Sequence, residues 1–277
     1  MHGQGIRDSL ITSQQYIIVP TMNRKEVEIQ TENLSKAFGS MEALKPLNLE
    51  VRKGNIFGFL GPNGAGKTTT VRILSGLLQP SGGTATVCGF DIHTQRDAIK
   101  VATSLLPEAP GLYSKLSAVE FLEFIGALND LSGEVLHRRI DSLLGILGLE
   151  RRQDDLLESY SSGMKQKVLV ASTLLHEPRL VFLDEPTSRL DPAASVLVKD
   201  LILAMAEEVD TTFFICTHMT DFAEDVCDII GILNEGQLTV RGAPQEIIDQ
   251  MGADDLEDAY LKIIGGKIDR EMLLSWR

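Results

Sequence analysis

Short apolar runs alternate along the chain with amphipathic segments, and this pattern predicts a mixed α/β fold. Residues 56–60 and 180–183 are continuous apolar runs, typical of strands buried on both faces. In residues 69–78 the apolar positions recur at helical spacing, so we expect a helix soon after the first run. Further strands are predicted at residues 27–30, 47–51, 84–88, 101–106 and 212–216, and a hairpin at residues 229–233 and 237–240.

The middle of the chain has a different pattern, which predicts a block of helices. Residues 119–128, 135–147 and 162–175 have helical periodicity, and no convincing strand lies among them. We therefore expect a helical insertion, from about residue 110 to 175, within an α/β core. Helices are also predicted at residues 193–206, 244–251 and 256–264, the first of them opened by Asp191 and Pro192. Residues 1–24 and 266–277 are expected to be tails that flank one domain of residues 25–265.

Composition and charge narrow the classes of function. The chain has 277 residues, of which 43% are hydrophobic, and its net charge is −13. Nucleic acid is therefore not an expected partner, because binding its phosphates requires clustered cations. The three cysteines, Cys88, Cys216 and Cys227, lack metal-ligand spacing and indicate a reducing compartment. No apolar run reaches the length of a membrane span. We expect a cytoplasmic chain whose work at any membrane depends on another polypeptide.

Residues 61–68 carry the most specific chemical signal in the sequence. They read Gly-Pro-Asn-Gly-Ala-Gly-Lys-Thr and fit the phosphate-binding loop pattern, between a predicted strand and a predicted helix. The glycines let the backbone curl around phosphate and aim its N–H groups inward, and the helix N-terminus adds partial positive charge. Lys67 can reach the β- and γ-phosphates, and the Thr68 hydroxyl can ligate Mg²⁺. The segment predicts a nucleoside triphosphate site.

Two further segments suit phosphate chemistry, although each has an ordinary interpretation when taken alone. Asp184 and Glu185 follow an apolar strand directly, where a sheet edge faces a ligand crevice. Asp184 can hold Mg²⁺ there, and Glu185 can polarise an attacking water. Ser161 and the free N–H groups that follow it could bind an anion at a helix start. Taken alone, the first pair could be an acidic turn, and Ser161 could be a simple helix cap.

Together these segments resemble the ATP-binding subunit of an ATP-binding-cassette (ABC) transporter. The resemblance covers about residues 27–265, with the motifs in the family's order. Residues 61–68 are similar to its Walker A loop and residues 180–184 to its Walker B strand, with Glu185 as the adjacent glutamate. Residues 160–164 are similar to the signature loop, residues 188–191 to the D-loop, residues 106–108 to the Q-loop, and His218 to the switch histidine.

The resemblance implies a fold, a reaction and partners. The fold is α/β: a P-loop NTPase core, with a RecA-like sheet and an antiparallel β-subdomain, and an inserted α-helical subdomain. The reaction is ATP hydrolysis with Mg²⁺, performed by two copies that enclose ATP and drive transport through a separate membrane permease. The chain would then lie at the inner face of the cell membrane.

The resemblance also implies roles for individual residues. Glu185, His218 and Lys67 would be catalytic, and Thr68, Glu108 and Asp184 would surround Mg²⁺. The nucleotide would be bound by Phe38 stacked on adenine, by Gly61, Asn63, Gly64, Ala65, Gly66, Lys67, Thr68 and Thr69, and by Ser161 and Gly163 acting on the partner's ATP.

Several positions depart from the family pattern and bear on subclass. Ser162 and Met164 replace a glycine and the glutamine of the signature, and Glu108 replaces the glutamine of the Q-loop. These variants resemble subunits that export drugs or ions. Arg189 stands where the D-loop usually has glycine. A soluble cassette ATPase, such as one for iron–sulfur cluster assembly, is the alternative. A GTPase is not expected, because the sequence has no Asn-Lys-x-Asp motif.

Overall fold

The computed structural model describes residues 26–108 and 111–265, so both predicted tails lie wholly outside the described residues. The strands are β1 (Val27–Phe38), β2 (Met41–Arg52), β3 (Ile56–Leu60), β4 (Gly82–Val87), β5 (Phe90–Asp91), β6 (Thr103–Leu106), β7 (Leu180–Asp184), β8 (Thr212–Thr217), β9 (Ile229–Asn234) and β10 (Gln237–Gly242). The helices are α1 (Lys67–Leu74), α2 (Arg96–Ala102), α3 (Ala118–Leu128), α4 (Gly133–Ile146), α5 (Ser162–Leu174), α6 (Pro192–Glu208), α7 (Thr220–Val226), α8 (Pro244–Met251) and α9 (Leu256–Ile264).

A six-stranded sheet forms the centre of the molecule, in the order β10-β9-β3-β8-β7-β6. All neighbouring strands from β9 to β6 are parallel, and β10 adds an antiparallel edge. Strands β3, β7 and β8 are buried along their whole length. Phe214 on β8 contacts Phe57, Phe59 and Phe182, with ring centroids 5.2, 5.3 and 5.7 Å apart. This aromatic cluster explains why these apolar segments form strands, since both faces need apolar cover.

A second, four-stranded sheet packs on one face of the central sheet, in the order β2-β1-β4-β5. Its pairs are antiparallel, and the long strands β1 and β2 have several register shifts along their pairing. Its inward residues, among them Ile29, Leu44 and Val87, share a core with Phe57 and Phe182. The other face of the central sheet is covered by the helices that follow β6.

Helices α3, α4 and α5 form the block that the sequence predicted between two halves of the core. Between Leu106 and Leu180 the described residues contain helices and a single isolated bridge, from Ser117 to Leu156, but no strand. Ser117 starts α3 through a capping box with Glu120, which satisfies two free N–H groups of the helix. Where this block should be divided from the core as a subdomain stays a prediction. Among the described helices, none has the length and apolar character to cross a membrane.

Several predicted boundaries were wrong, and β1 and β2 are each 12 residues long, whereas only residues 27–30 and 47–51 were expected. Helix α1 begins at Lys67 and ends at Leu74, whereas residues 69–78 were expected, because Gly76 leaves helical geometry with φ of 73°. Val101 and Ala102 belong to α2 rather than to a strand, so β6 covers only its last four predicted positions. Val101 is 79% exposed, so this apolar residue was wrongly predicted to be part of a buried strand. Helices α2 and α7, which are both seven residues long, were not predicted from the sequence.

Candidate active site

Four segments with candidate functional residues meet at one edge of the central sheet. They follow β3, β8, β7 and β6, which are neighbours in the sheet and parallel to one another. The register pairs Leu60 with Thr217, and Leu106 with Leu183, so the strands end at similar heights. The phosphate loop, His218, Glu185 and Glu108 therefore emerge side by side at the carboxyl edge, where open α/β sheets bind ligands.

Glycine is required at two positions of the phosphate loop because the backbone passes against other segments. A side chain at Gly61 would place its Cβ 2.3 Å from the Leu233 carbonyl oxygen. At Gly66, which caps α1 with φ of 107°, a Cβ would lie 2.4 Å from the Ala43 carbonyl oxygen. Gly64 also has a positive φ, of 81°, but faces open space. The loop is thus fixed from behind and open in front, as a phosphate cradle requires.

Hydrogen bonds hold this loop between both sheets. The Gly236 N–H donates to the Ala65 carbonyl (3.0 Å), and the Lys45 N–H donates to the Gly236 carbonyl (2.8 Å). Lys67 is 6% exposed, and its ammonium donates to the carbonyls of Gly61 (2.6 Å) and Pro62 (3.2 Å). A buried cation at the N-terminus of α1, inside a ring of backbone groups, is the arrangement that binds a polyphosphate.

Thr68 and Asp184 provide a pair of oxygen ligands suited to Mg²⁺. The Thr68 hydroxyl donates to a carboxylate oxygen of Asp184 over 2.9 Å, and Asp184 is buried. Burial raises the pKa of Asp184, and the charges of Glu108 and Glu185 raise it further, while the Thr68 hydrogen bond lowers it. A bound cation would favour the carboxylate.

A small number of protein oxygens is enough to bind Mg²⁺. In the part of the chain that the structure describes, no group of three histidine, cysteine or acidic side chains could hold a metal by itself. Mg²⁺ typically takes one or two protein oxygens and completes its shell with phosphate and water. The residues present therefore suit Mg²⁺ carried in with a nucleotide.

Glu185 is held by three neighbours. His218 Nδ1 lies 2.8 Å from one carboxylate oxygen, and the Thr217 hydroxyl donates to the other over 3.2 Å. The Glu185 N–H donates to the Cys216 carbonyl (2.9 Å). Glu185 is 8% exposed, whereas the His218 side chain is 57% exposed. Sequence reasoning missed Thr217, although its place at the end of a strand beside His218 could have indicated it.

The residues similar to the signature loop lie elsewhere. Ser161 caps α5 by accepting the Met164 N–H over 3.2 Å. A Cβ on Gly163 would lie 3.2 Å from the Arg189 carbonyl oxygen, so this segment packs beside the D-loop of its own chain. Gln166, another residue that the sequence did not single out, donates to the Pro186 carbonyl over 3.0 Å. The structure joins this segment to the exit of β7, while the phosphate loop contacts β2 and the β9–β10 hairpin.

The remaining predicted residues have varied surroundings. Phe38 ends β1 with 46% of its surface exposed, and the Lys36 ammonium lies 5.1 Å from its ring centroid. Asn63 is exposed at the tip of the phosphate loop, and Thr69 is half-buried in the first turn of α1. Glu108 is exposed two residues beyond β6, and its carbonyl oxygen accepts a hydrogen bond from Arg189.

Comparison with known proteins defines the class to which this fold and site belong. Residues 44–188 match the family described as ABC transporter. The chain is 34% identical to the daunorubicin/doxorubicin resistance ATP-binding protein DrrA of Streptomyces peucetius, over 89% of this chain and 74% of that protein. It is 40% identical to the bacitracin transport ATP-binding protein BcrA of Bacillus licheniformis, over 76% and 68%. A solved ATP-binding subunit of an ABC transporter superposes with a TM-score of 0.78, 29% identity, 85% of this chain and 98% of that chain.

The chain therefore belongs to the ABC transporter family, as an ATP-binding subunit that hydrolyses ATP to power transport. The predicted P-loop NTPase fold is confirmed. Subunits of this kind work with membrane permeases. The soluble iron–sulfur alternative is not favoured, because the relatives are named as transport and resistance subunits.

Proposed function

We propose that two copies of this chain enclose MgATP and, by hydrolysing it, drive export through a separate permease at the inner face of the cell membrane. Export is supported by the names of the relatives, which include a resistance protein. It is also supported by the replacement of signature and Q-loop residues at Met164 and Glu108. The observation that carries the proposal is the meeting of the phosphate loop, Asp184, Glu185 and His218 at one sheet edge.

The phosphate loop and its surroundings would bind the nucleotide. Lys67 neutralises phosphate charge, and the backbone from Gly61 to Thr69, through Asn63, Gly64, Ala65 and Gly66, surrounds the phosphates. Phe38 offers an exposed ring face to adenine. Thr68, Asp184 and Glu108 would hold Mg²⁺, which supplies charge neutralisation at the phosphates when it is bound.

Glu185 is the proposed base. A carboxylate has about four lone-pair positions, and the contacts with Thr217 and His218 use two, so Glu185 can still accept a proton from water. Those contacts also fix its direction. The hydrogen bond to Glu185 requires a hydrogen on Nδ1 of His218. Its Nε2 can then donate to the γ-phosphate when the ring carries both protons.

A second copy would complete the site. Ser161 and Gly163 pack against the D-loop of their own chain and present free N–H groups at the start of α5. A triphosphate on one copy could bridge to that helix start on the other, since anions are stabilised there. Loss of the γ-phosphate would remove the bridge and let the copies part.

The permease would dock beside α3. Tyr113 is 60% exposed, and its ring meets the edge of Phe124, itself 40% exposed, at 5.5 Å. The neighbouring Leu112 is partly buried and packs against the hydrophobic core. This small aromatic surface suits an apolar permease helix. Tyr113→Asp should weaken copurification with the permease while ATPase activity of the isolated subunit is retained, and full retention of the permease would exclude this surface.

The variant Glu185→Gln tests the site and the dimer together. Turnover should fall by roughly 10²- to 10⁴-fold, the usual contribution of a general base. With ATP and Mg²⁺ the variant should elute as a dimer in size-exclusion chromatography, because the bridging γ-phosphate persists.

The double variant Glu185→Gln with Lys67→Met is the matched control and should remain monomeric, since it loses the main phosphate ligand. Unchanged turnover in Glu185→Gln would show that Glu185 is not the general base. A monomer at every concentration would exclude the enclosed dimer.

A further inference from the structure

Two residues that differ from the family pattern, one basic and one acidic, contact each other. Arg189 stands where the D-loop usually has glycine, and Glu108 stands where the Q-loop has glutamine. Although 81 positions separate them, an Arg189 guanidinium nitrogen (Nη2) donates to the Glu108 carbonyl oxygen over 3.0 Å. We infer that Arg189 is a positioning residue that holds the Glu108 segment beside Asp184 and so strengthens the binding of metal-bound nucleotide. This inference rests on the proposed metal-binding role of Glu108.

The hydrogen bond from Arg189 to Glu108 lies beyond the last paired residues of β6. The ladder between β6 and β7 ends with the pair Leu106 and Leu183, and Glu108 lies two residues further on. Its backbone there is exposed and beyond the last strand pairing. A charged donor gives a stronger hydrogen bond than a neutral one, so the Arg189 contact is well suited to fix this exposed carbonyl.

Arg189 itself extends from an anchored turn. The Leu190 N–H donates to the Thr187 carbonyl (3.0 Å), and the Ser188 hydroxyl donates to the Glu185 carbonyl (3.1 Å). The carbonyl side of Arg189 packs against Gly163, where a Cβ would approach to 3.2 Å. The guanidinium therefore reaches Glu108 from a fixed point that is tied to the proposed base.

Repulsion among carboxylates explains why the Glu108 segment needs the Arg189 hydrogen bond. The charge of Glu108 acts on Asp184, as does that of Glu185, so three acidic groups share this edge. Like charges favour moving the exposed Glu108 away. The Arg189 hydrogen bond to its backbone carbonyl holds the segment in place. Neither the family's glycine at position 189 nor any apolar side chain could do this.

The test measures the contribution of Mg²⁺ to nucleotide binding rather than turnover. The Kd of a fluorescent, non-hydrolysable ATP analogue is measured once in the presence of Mg²⁺ and once in the presence of EDTA. The ratio of the Kd in EDTA to the Kd in Mg²⁺ gives the contribution of the metal to binding. In Arg189→Met this ratio should fall roughly 3- to 10-fold, which is the range expected for one hydrogen bond. Arg189→Lys keeps charge and a donor and should recover most of the ratio. Arg151→Met, at an exposed arginine in the helical block, should leave it unchanged.

A double-mutant cycle shows whether Arg189 acts through Glu108. Glu108→Ala should also lower the ratio while keeping the carbonyl, and adding Arg189→Met should then have little further effect. The inference would be overturned if Arg189→Met shifted both Kd values equally. It would also be overturned if Arg189→Met left both unchanged while Glu108→Ala lowered the ratio. Neither outcome would contradict the proposed function. An unchanged ratio in Glu108→Ala would instead refute the metal role of Glu108. Thermal midpoints identify any misfolded variant, and Arg189→Gly, the residue usual in the family, replaces Arg189→Met in the cycle if that variant misfolds.

Discussion

At the scale of single residues, Glu185 combines backbone strain with strong fixation. Its φ of 54° lies in the left-handed region, which costs a side-chain-bearing residue about 1–2 kcal/mol. The backbone bond to Cys216 and the side-chain contacts with Thr217 and His218 maintain this conformation. Strain kept in place by several contacts is typical of functional positions. The result is a carboxylate with a fixed direction before any substrate binds.

His176 should make the protein sensitive to mild acid. Both of its ring nitrogens are buried and have no hydrogen-bond partner among the described residues, and burial, helped by the charge of Arg139, lowers its pKa. The unfolded chain therefore binds this proton more readily than the folded one. The stability that depends on a neutral His176 is fully present above the ordinary pKa of histidine, and it is lost as pH falls towards the lowered pKa of the folded protein. His176→Leu should gain about 1 kcal/mol at pH 7.5 and lose less stability than the wild type at pH 5.5. Urea unfolding at both pH values measures this.

His137 provides a control of opposite sign. The Gly133 carbonyl, 2.8 Å from Nδ1, is the main cause of its raised pKa. That contribution is present at low pH and is lost as pH rises through the raised pKa. His137→Gln should therefore increase acid sensitivity, and only slightly, because the ring is exposed. If both variants shift the pH dependence in the same direction, the explanation for His176 is wrong.

At the scale of elements, the sequence predicted best where apolar pattern and end signals agree. Helices α8 and α9 have the predicted bounds, because Pro244 and Asp255 start them and Gly252 and Gly265 end them with positive φ. Helix α7 has none of these signals at its start, where Met219 makes no side-chain cap. Its position depends on packing against α9, which no local pattern reports.

Helix α5 should depend on one buried amide for its attachment to the exit of β7. Gln166 is 3% exposed, and its side-chain amide donates to the Pro186 carbonyl, which joins α5 to the segment after β7. Gln166→Met keeps volume but leaves that carbonyl without its donor. We expect a loss of about 1–2 kcal/mol in the free energy of unfolding. Urea unfolding measures it, with Lys165→Met as the neighbouring control. Equal effects of the two substitutions would contradict a role for the hydrogen bond.

At the scale of the whole molecule, the phosphate loop links the two sheets. Its glycines pass against Ala43 of β2 and Leu233 of β9, and Gly236 bonds to both Ala65 and Lys45. The sequence predicted the loop, and the strand ends predicted that Asp184 would lie near it. These cross-links, like the contact between Arg189 and Glu108, join residues far apart in sequence, so only the folded chain reveals them.

Nucleotide binding should therefore protect amides outside the loop that contacts it. With an ATP analogue at about 100 times its Kd, openings that release nucleotide are suppressed roughly 100-fold. Hydrogen exchange should slow at Lys45 and Gly236 as well as in residues 61–69, whereas α4 should be unaffected in the monomer. Protection confined to residues 61–69 would show that the loop opens independently of both sheets.

The position of β3 between β8 and β9 governs when the chain acquires its activity during synthesis. On the ribosome, residues 61–68 emerge early, but both neighbours of their strand, and the Gly236 that closes the loop from behind, are translated more than 140 residues later. A nascent chain cannot use ATP as a template for folding its first half. We therefore expect nucleotide binding only after the β9–β10 hairpin has left the exit tunnel.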